Sequence, residues 1–411
     1  MMHHRVLPSL ARLALAGALL SVTLAASAAG QKAYVGNFKD NSVSVIDTAA
    51  GTVVATVPVA AGPHGMSVTP DGHTVYVSGD GSSEVTVIDA ATNRVARTIS
   101  VGKTPHGLAM APDGKLLLVA VYGEDRIGFV DTATSAVIAT VPVPKPHTIA
   151  IRPDGKVAYV ASQAPGQFAL VVVDLITRTT VRTLPLEKTP RDLEFAHDGR
   201  ALYLTLAGVN AIAVLDPKSD KIVGQIPTGA SPHLASLFRG APAGTAVVQG
   251  PGELQLFDPA TNTPLRAISV GKQPHWMAAD PEGQHVYVTN EGSNDVTVVD
   301  MVSGKTSTIG VGSAPRKVVV LPVARGEQVS DAKVSIANFA FAPAEITVAP
   351  GTTVTWTNDD GAPHGLAFND GAKGTDVFLP GARFSRTYDK PGTFEYFCAV
   401  HPYMTGKVTV R

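Results

Sequence analysis

Four side chains near the C-terminus have the types and spacing of a transition-metal site. Cys398 is the single cysteine of the 411-residue chain, and His401 and Met404 follow it at intervals of three residues. His364 lies upstream, after a Gly-Ala-Pro run. One thiolate, two imidazoles and one thioether form the ligand set of a blue copper electron-transfer centre, in which the Met bond is weak and axial. We therefore predict that these four residues bind one type 1 copper.

Two alternatives stay open for the same residues. Zinc also binds Cys and His, although structural zinc sites usually complete their ligand set with a further thiolate or hard ligand rather than Met. Cys and Met are also common core residues, so an ordinary buried core would account for both without a metal. A core does not account for His364 and His401, and copper remains the prediction.

Residues 330–411 resemble the cupredoxin family. Three segments carry the resemblance: 334–336, 351–358 and 406–410. The two-residue gaps on either side of His401 are most similar to the ligand loop of amicyanins. The resemblance implies a β-sandwich domain that relays single electrons through the His401 edge. Gly365 departs from the family pattern, in which an Asn often follows the first His and helps to tie the ligand loops together.

The first 29 residues predict a secretory signal. Arg5 and Arg12 flank the start of the segment, an apolar stretch covers 13–24, and small residues at 26–29 suit a cleavage site. The stretch is too short for a comfortable membrane span, and an uncleaved anchor is the alternative. We expect a periplasmic or secreted protein with no membrane span after cleavage. Loss of both arginines would change the formal net charge from −1 to about −3, which does not favour nucleic acid.

Between residues 31 and 322 the sequence repeats with a period near 42 residues. The marker of each repeat is an Asp that ends an apolar strand. The markers are Asp47, Asp89, Asp131, Asp174, Asp216, Asp258 and Asp300. This period, with several short strands in each unit, is typical of a β-propeller blade. We predict an all-β chain, in which a seven-bladed propeller over 31–322 precedes a linker at 323–331 and a cupredoxin domain at 332–411.

The repeat array begins and ends out of phase. Strand 33–35 has no innermost strand before it, and strand 316–320 has no blade of its own. We expect the last strand to join the first three, which closes the ring and pairs edges that would otherwise be free. The units resemble the YVTN family of seven-bladed propellers, and residues 287–290 spell that motif. Members of that family differ in activity, so the resemblance implies a fold and no function.

Seven residues share one register in the repeats, each directly after a proline that opens an innermost strand. They are His64, His106, His147, Arg191, His233, His275 and Arg316. Innermost strands line the channel of a propeller, so these side chains should gather at one mouth. Three interpretations stay open: a recurrent turn residue, a second metal site of neutral imidazoles, or an anion site of arginines and protonated histidines.

The architecture is also similar to that of nitrous oxide reductase, which joins a seven-bladed propeller bearing a histidine-bound copper cluster to a C-terminal cupredoxin domain. The chain departs from that enzyme because the enzyme's cupredoxin centre is dinuclear and needs two cysteines, whereas Cys398 stands alone. Arg191 and Arg316 also occupy two of the seven ring positions.

The favoured interpretation is an exported electron carrier whose propeller is a docking platform for a redox partner protein. The alternative is a copper-dependent reductase or oxidase with a second metal site at the propeller channel. A third is a binding module that stores copper without turnover. The sequence has no phosphate-binding Gly-Lys-Ser loop, and the repeated Asp residues are better explained as turn acceptors than as acid/base pairs.

Overall fold

A computed structural model describes residues 31–241, 243–322 and 331–410. The predicted signal at 1–29 and nearly all of the predicted linker lie outside these residues. The described chain consists of strands joined by turns, with one short 3-10 helix at Tyr122–Glu124. None of its helices is long and apolar enough to cross a membrane.

The strands before residue 322 form seven sheets of four strands each. In chain order they are β1 (Lys32–Asn37), β2 (Ser42–Asp47), β3 (Thr52–Pro58), β4 (Pro63–Val68), β5 (Thr74–Gly79), β6 (Glu84–Asp89), β7 (Arg94–Ser100), β8 (Pro105–Met110), β9 (Leu116–Val121), β10 (Arg126–Asp131), β11 (Ala136–Pro142), β12 (Pro146–Ile151), β13 (Val157–Ser162), β14 (Ala169–Asp174), β15 (Thr179–Pro185), β16 (Pro190–Phe195), β17 (Leu202–Leu206), β18 (Ala211–Asp216), β19 (Lys221–Pro227), β20 (Pro232–Ser236), β21 (Gly244–Val248), β22 (Glu253–Asp258), β23 (Thr263–Ser269), β24 (Pro274–Ala279), β25 (His285–Asn290), β26 (Asp295–Asp300), β27 (Thr306–Gly310) and β28 (Pro315–Val320).

The seven sheets are the blades of a closed ring. The first sheet has the order β28-β1-β2-β3, and Val318 of β28 lies opposite Val35 of β1. The predicted closure by the last strand is therefore confirmed. Around the channel the innermost strands contact one another in the order β28, β4, β8, β12, β16, β20, β24 and back to β28. Because first and last strands share one sheet, neither end of the array leaves a free edge.

The blades pack face to face, which explains the long apolar runs of their central strands. Ala33 and Val35 of β1 are buried in one core cluster, and Tyr34 between them is buried in another. Successive side chains of a strand point to opposite faces, so one strand fills the spaces on both sides of its blade. Outermost strands such as β3 are mostly exposed.

The repeated Asp residues cap the turns that follow their strands, as predicted. Asp89 accepts hydrogen bonds from the Thr92 N–H and hydroxyl at 2.7 and 2.8 Å, and Asp131 accepts the same pair from Thr134 at 2.8 Å. These bonds favour the charged form and lower the pKa of both carboxyl groups. The markers are therefore structural turn residues.

Each innermost strand begins with the proline identified in the sequence. In β4 the register with β5 shifts between Pro63 and Met66, so His64 and Gly65 form a bulge. A Cβ on Gly65 would lie 2.2 Å from the main-chain oxygen of His106 in the next blade, which leaves room only for glycine. The Pro-His-Gly pattern thus reflects close packing of neighbouring innermost strands.

The residues from 331 onward form two further sheets. Their strands are β29 (Asp331–Ala337), β30 (Ala340–Ala342), β31 (Glu345–Val348), β32 (Thr352–Asn358), β33 (His364–Phe368), β34 (Thr375–Phe378), β35 (Arg383–Tyr388), β36 (Gly392–Phe397) and β37 (Thr405–Val410). The sheet orders are β30-β29-β32-β35 and β31-β37-β36-β33-β34. Trp356 of the first sheet and Tyr396 and Val408 of the second belong to one buried core. This two-sheet arrangement is the predicted β-sandwich.

Candidate metal centre

Two adjacent strands of the sandwich bring the predicted copper ligands together. His364 opens β33, and Cys398 directly follows β36. The two strands are paired, with Ala367 opposite Phe397. His401 and Met404 lie in the short loop from β36 to β37. The imidazole of one strand therefore stands beside the thiol at the end of its neighbour.

The ligand loop is closed by its own main chain. The Cys398 N–H donates to the Met404 carbonyl at 3.0 Å, and the Met404 N–H donates to the His401 carbonyl at 2.9 Å. The His401 N–H points to the Cys398 Sγ at 3.3 Å. A loop held in this way keeps its donors in place when the charge of the site changes.

Three donor atoms of the site lie at the mutual distances of ligands that share one ion. Cys398 Sγ is 3.6 Å from His364 Nδ1 and 3.7 Å from His401 Nδ1, and the two nitrogens are 3.3 Å apart. Metal bonds of about 2.0 Å to His and 2.3 Å to Cys in a trigonal plane would give separations of roughly 3.5 to 3.7 Å. Cys398 and His364 are fully buried and Met404 nearly so. The residues fit a type 1 copper.

Among the described residues, this is the one group of three or more His, Cys, Asp or Glu whose donor atoms lie within 4.8 Å of one another. His364, Cys398 and His401, which the sequence predicted as ligands of one metal, are therefore brought together in the fold. Met404 lies in the same buried core as Cys398.

Gly365 stands where the family often has an Asn, but hydrogen bonds from other groups still connect the ligand loops. Its N–H points to the Cys398 Sγ at 3.4 Å, so the main chain supplies a contact to the sulfur. Asn358 supplies side-chain ties, since its Nδ2 donates to the carbonyls of Ala362 at 2.9 Å and Phe378 at 2.7 Å. Asn358, the last residue of β32, therefore connects the ligand loops in place of that Asn. The sequence did not predict this role.

Asp360 is a second residue that the sequence analysis missed. Its Oδ2 lies 3.0 Å from His364 Nε2 and accepts the Phe339 N–H at 2.8 Å, while its Oδ1 accepts the Asn338 N–H at 2.9 Å. The two N–H donors and the imidazole favour the carboxylate and lower the pKa of Asp360. A proton on Nε2 leaves the Nδ1 lone pair of His364 facing the sulfur, as a metal ligand requires.

The half-buried His401 is surrounded by exposed apolar side chains. Phe339 is 44% exposed, and its ring centre is 5.1 Å from that of His401 and 5.5 Å from that of His364. Tyr403 is 70% exposed, and Val400 is also exposed. One edge of the metal centre is therefore close to the surface.

Known proteins match this domain. Residues 328–411 match the model of copper binding proteins of the plastocyanin/azurin family. Amicyanin of Paracoccus versutus is 36% identical over 96 residues, which cover 22% of this chain and 73% of the relative. The chain belongs to this family. Amicyanin-alpha of Methylorubrum extorquens is 40% identical over 84 residues, covering 19% and 71% of the two proteins. A chloroplast plastocyanin of Tetradesmus obliquus is 37% identical over 84 residues, covering 17% and 58%.

The family membership confirms the cupredoxin prediction for the C-terminal domain and type 1 copper as its cofactor. Together with the geometry of His364, Cys398 and His401, it identifies a copper-binding electron-transfer domain. The zinc and ordinary-core alternatives lose their support, because the matched family binds copper.

Comparisons also support the propeller. Residues 14–112 match the model of YNCE-like beta-propellers. A chain of Kuenenia stuttgartiensis hydrazine synthase superposes with a TM-score of 0.61 at 21% identity, covering 66% of this chain and 92% of that chain. A dihydro-heme d1 dehydrogenase gives 0.56 at 16% identity, covering 71% and 75%. At these identities the likeness concerns the fold alone.

The structure also shows where the seven residues of the propeller register lie. The ring centres of His64 and His106 are 3.9 Å apart, as are those of His106 and His147. Those of His233 and His275 are 4.2 Å apart, and His275 is 5.7 Å from His64. The five histidines therefore gather at one mouth of the channel, and we call them the histidine ring.

Neighbouring main chain orients two members of the histidine ring. His106 Nδ1 lies 3.1 Å from the His147 carbonyl, and His147 Nδ1 lies 3.0 Å from the Arg191 carbonyl. Nδ1 must carry the proton in both bonds, so each Nε2 keeps a lone pair. Burial lowers the pKa of His64, His106 and His275 well below its ordinary value, and that of His147 to about 4. These imidazoles are neutral at pH 7.

Arg316 stands between two members of the histidine ring. Its Nη1 is 3.4 Å from His64 Nε2 and 3.5 Å from His275 Nε2, and its Nη2 donates to Glu291 at 2.9 Å. Arg191 instead donates to the Ser231 hydroxyl at 2.9 Å. No three nitrogens of the described ring meet the 4.8 Å spacing found at the copper site.

Proposed function

We propose that the chain is an exported electron carrier whose cupredoxin domain exchanges single electrons with a redox partner protein, while the propeller is the docking platform. In this proposal residues 1–29 are a signal peptide, 31–322 the propeller, 323–331 a linker and 332–411 the cupredoxin domain. The observation that carries it is the buried cluster of one thiolate and two imidazoles, with donor atoms 3.3–3.7 Å apart.

The residues of the site suit electron transfer better than catalysis. Bound copper would supply a one-electron couple between Cu(I) and Cu(II). Cys398 and His364 are fully buried, so a substrate has no access to the ligands from their side. The main-chain bonds of the Cys398 to Met404 loop hold the donors through a change of charge. A rigid, closed site favours transfer of an electron over bond making.

The edge of His401 is the proposed electron port. It is the half-buried ligand, and exposed Phe339, Val400 and Tyr403 surround it. Exposed apolar side chains around a polar group suit transient contact with another protein. A partner that covers these residues would bring its own redox centre close to the copper ligands.

Export rests on the sequence of residues 1–29, with a basic start, an apolar stretch and small residues before Gly30. The proposed location is the periplasm or the extracellular space. A single cysteine committed to a metal agrees with an oxidising compartment, because no disulfide has to form.

A second candidate function is a copper-dependent reductase or oxidase with a further metal at the histidine ring. The observation that favours it is the pair His106 and His147, whose Nδ1 atoms bond to carbonyls and whose Nε2 lone pairs stay free. This is the arrangement of metal-ligating histidines in general. Arg316 opposes it, since a guanidinium at the ring repels a cation.

Metal analysis and a visible spectrum of the copper-loaded full chain separate the two functions. The electron carrier should hold one copper per chain, with a strong visible band from thiolate-to-copper charge transfer. Cys398→Ser should abolish the band and the copper together. Two or more coppers per chain, with one retained in C398S, would instead support the enzyme. A protein with no visible band after copper loading would refute both.

A further inference from the structure

The central channel contains a second group of charged side chains, next to the histidine ring. A cavity of about 300 Å³ is lined there by residues of β4, β8, β12, β16, β24 and β28. Its charged members are Asp192, Glu194 and Lys317. None of them belongs to the copper site or to the seven positions of the ring register. The other residues that line this cavity are uncharged.

The opposite charges stand on opposite walls of the channel. Asp192 and Glu194 are on β16, and Lys317 is on β28. Around the ring these two strands are separated by β20 and β24 on one side and by β4, β8 and β12 on the other. The ammonium group therefore faces the two carboxylates across the cavity. The described side chains form no direct ion pair between Lys317 and either carboxylate, so the cavity separates the ammonium group from both of them.

Asp192 is buried and Glu194 and Lys317 are half-buried, and the cavity leaves part of their hydrogen-bonding capacity without a partner. Asp192 is 2% exposed; its Oδ2 lies 3.3 Å from His233 Nδ1 of the histidine ring, and its Oδ1 has no hydrogen-bond partner among the described residues. The Lys317 Nζ lies 4.0 Å from the centre of the Trp276 ring. Burial raises the pKa of Glu194 to about 7, which the charge of Lys317 opposes, and lowers the pKa of Lys317, which the charges of Glu194 and Asp192 oppose. Keeping unpaired charges inside a fold is costly, which is why buried charges usually have a partner or a ligand.

We propose that this cavity binds a small zwitterion, with its carboxylate on Lys317 and its ammonium group between Asp192 and Glu194. Such a ligand places an opposite charge against each wall at once. A simple anion would meet two carboxylates, and a simple cation would meet Lys317. Ser67 also lines this cavity, and its hydroxyl suits a polar end of the ligand. The volume lies at the lower end of ligand pockets, which selects a short amino acid.

The test is calorimetric titration of the copper-loaded full chain with glycine, β-alanine, 4-aminobutanoate and 5-aminopentanoate. This series varies the distance between the two charges of the probe. At least one member should bind saturably and at least tenfold tighter than butanoate and butylamine, which carry one charge each. Lys317→Met and Glu194→Gln should each weaken binding tenfold or more. Lys305→Met, which removes an exposed lysine of the last blade, should leave the affinity unchanged.

Chemical labelling keeps the proposal testable if the channel variants fail to fold. Lysines of the wild-type chain are acetylated with acetic anhydride in the presence and absence of the tightest probe. Bound zwitterion should protect Lys317 several-fold and leave the labelling of Lys305 unchanged. Titrations that do not saturate with any probe, together with unprotected Lys317, would show that the cavity holds water only. Equal affinity for butanoate alone would show an anion site and overturn the zwitterion.

Discussion

Replacement of Asp360 by Asn should weaken copper binding and raise the reduction potential of the site. Asp360 accepts a hydrogen bond from the Nε2–H of His364 and also accepts hydrogen bonds from the N–H groups of Asn338 and Phe339. An Asn side chain has one oxygen for three donors, so its amide N–H must face at least one of them. Loss of such a support typically reduces metal affinity about 10- to 100-fold.

The potential should rise because Asp360 carries a negative charge next to a copper ligand. That charge favours the more positive Cu(II) state, and the neutral amide removes it. The lowered pKa of Asp360 means that the wild-type charge persists at mildly acidic pH. Copper affinity is measured by competition with a chelator, and the potential by redox titration of the visible band.

Asp359→Asn is the matched control for this prediction. It removes the same charge one residue earlier, but Asp359 accepts a hydrogen bond from the Ser335 hydroxyl at 2.6 Å and does not contact His364. It should change copper affinity less than threefold. Equal losses in the two variants would show that the charge of the loop matters and the orientation of His364 does not. Wild-type affinity in D360N would refute the proposed role of the carboxylate outright.

Three further predictions concern the axial ligand and the channel. Met404→Leu should keep copper and raise the potential, because Met supplies only a weak axial bond; complete copper loss in metal analysis would contradict this. Glu194→Gln should raise the free energy of unfolding relative to wild type increasingly from about pH 4.3 to 7, by on the order of 1–2 kcal/mol at pH 8, because the folded state disfavours the ionised carboxylate. Thermal unfolding at pH 5 and 8 tests the sign of this difference. In metal-free protein, His147→Asn should reduce the decrease in the free energy of unfolding between about pH 6.5 and 4 by on the order of 2 kcal/mol, because the folded state disfavours protonation of this imidazole. An acid unfolding transition at the same pH as in the wild type would contradict this.

The sequence was sufficient for features that depend on local repetition. A period near 42 residues predicted seven blades, and the phase of the first and last strands predicted that β28 would join β1. The register of the prolines predicted that the histidines would gather at one mouth. The proposed copper ligands were likewise predicted from spacing, because Cys398, His401 and Met404 lie in one tight loop. In each case the relevant contact follows directly from short-range pattern or from repeat symmetry.

Features that depend on contacts between distant segments could not be predicted in the same way. Asp360 lies in an Asp-Gly turn, and nothing local distinguishes it from the turn residues of the propeller; its role depends on the approach of Asn338 and Phe339. Lys317 and Glu194 resemble ordinary polar residues of strands. Only the ring order of β16 and β28 places them across a common cavity. Neither the hydrogen bond from His364 to Asp360 nor the charged cavity of the channel could therefore be predicted from the sequence.

The two histidine clusters of the chain use the same principle and reach opposite electrostatic results. In the copper site the Nε2–H of His364 donates a hydrogen bond to Asp360, and the free Nδ1 lone pair faces the Cys398 sulfur. In the propeller the Nδ1–H of His106 donates a hydrogen bond to the His147 carbonyl, and the Nε2 lone pair is free to bind a metal. The two clusters differ in the charged group that lies next to the free lone pairs. A thiolate adds negative charge and favours a cation, whereas the Arg316 guanidinium already donates to the histidine ring and repels one. By this argument copper should occupy the cupredoxin site first, and the propeller should hold a metal only if Arg316 leaves the ring.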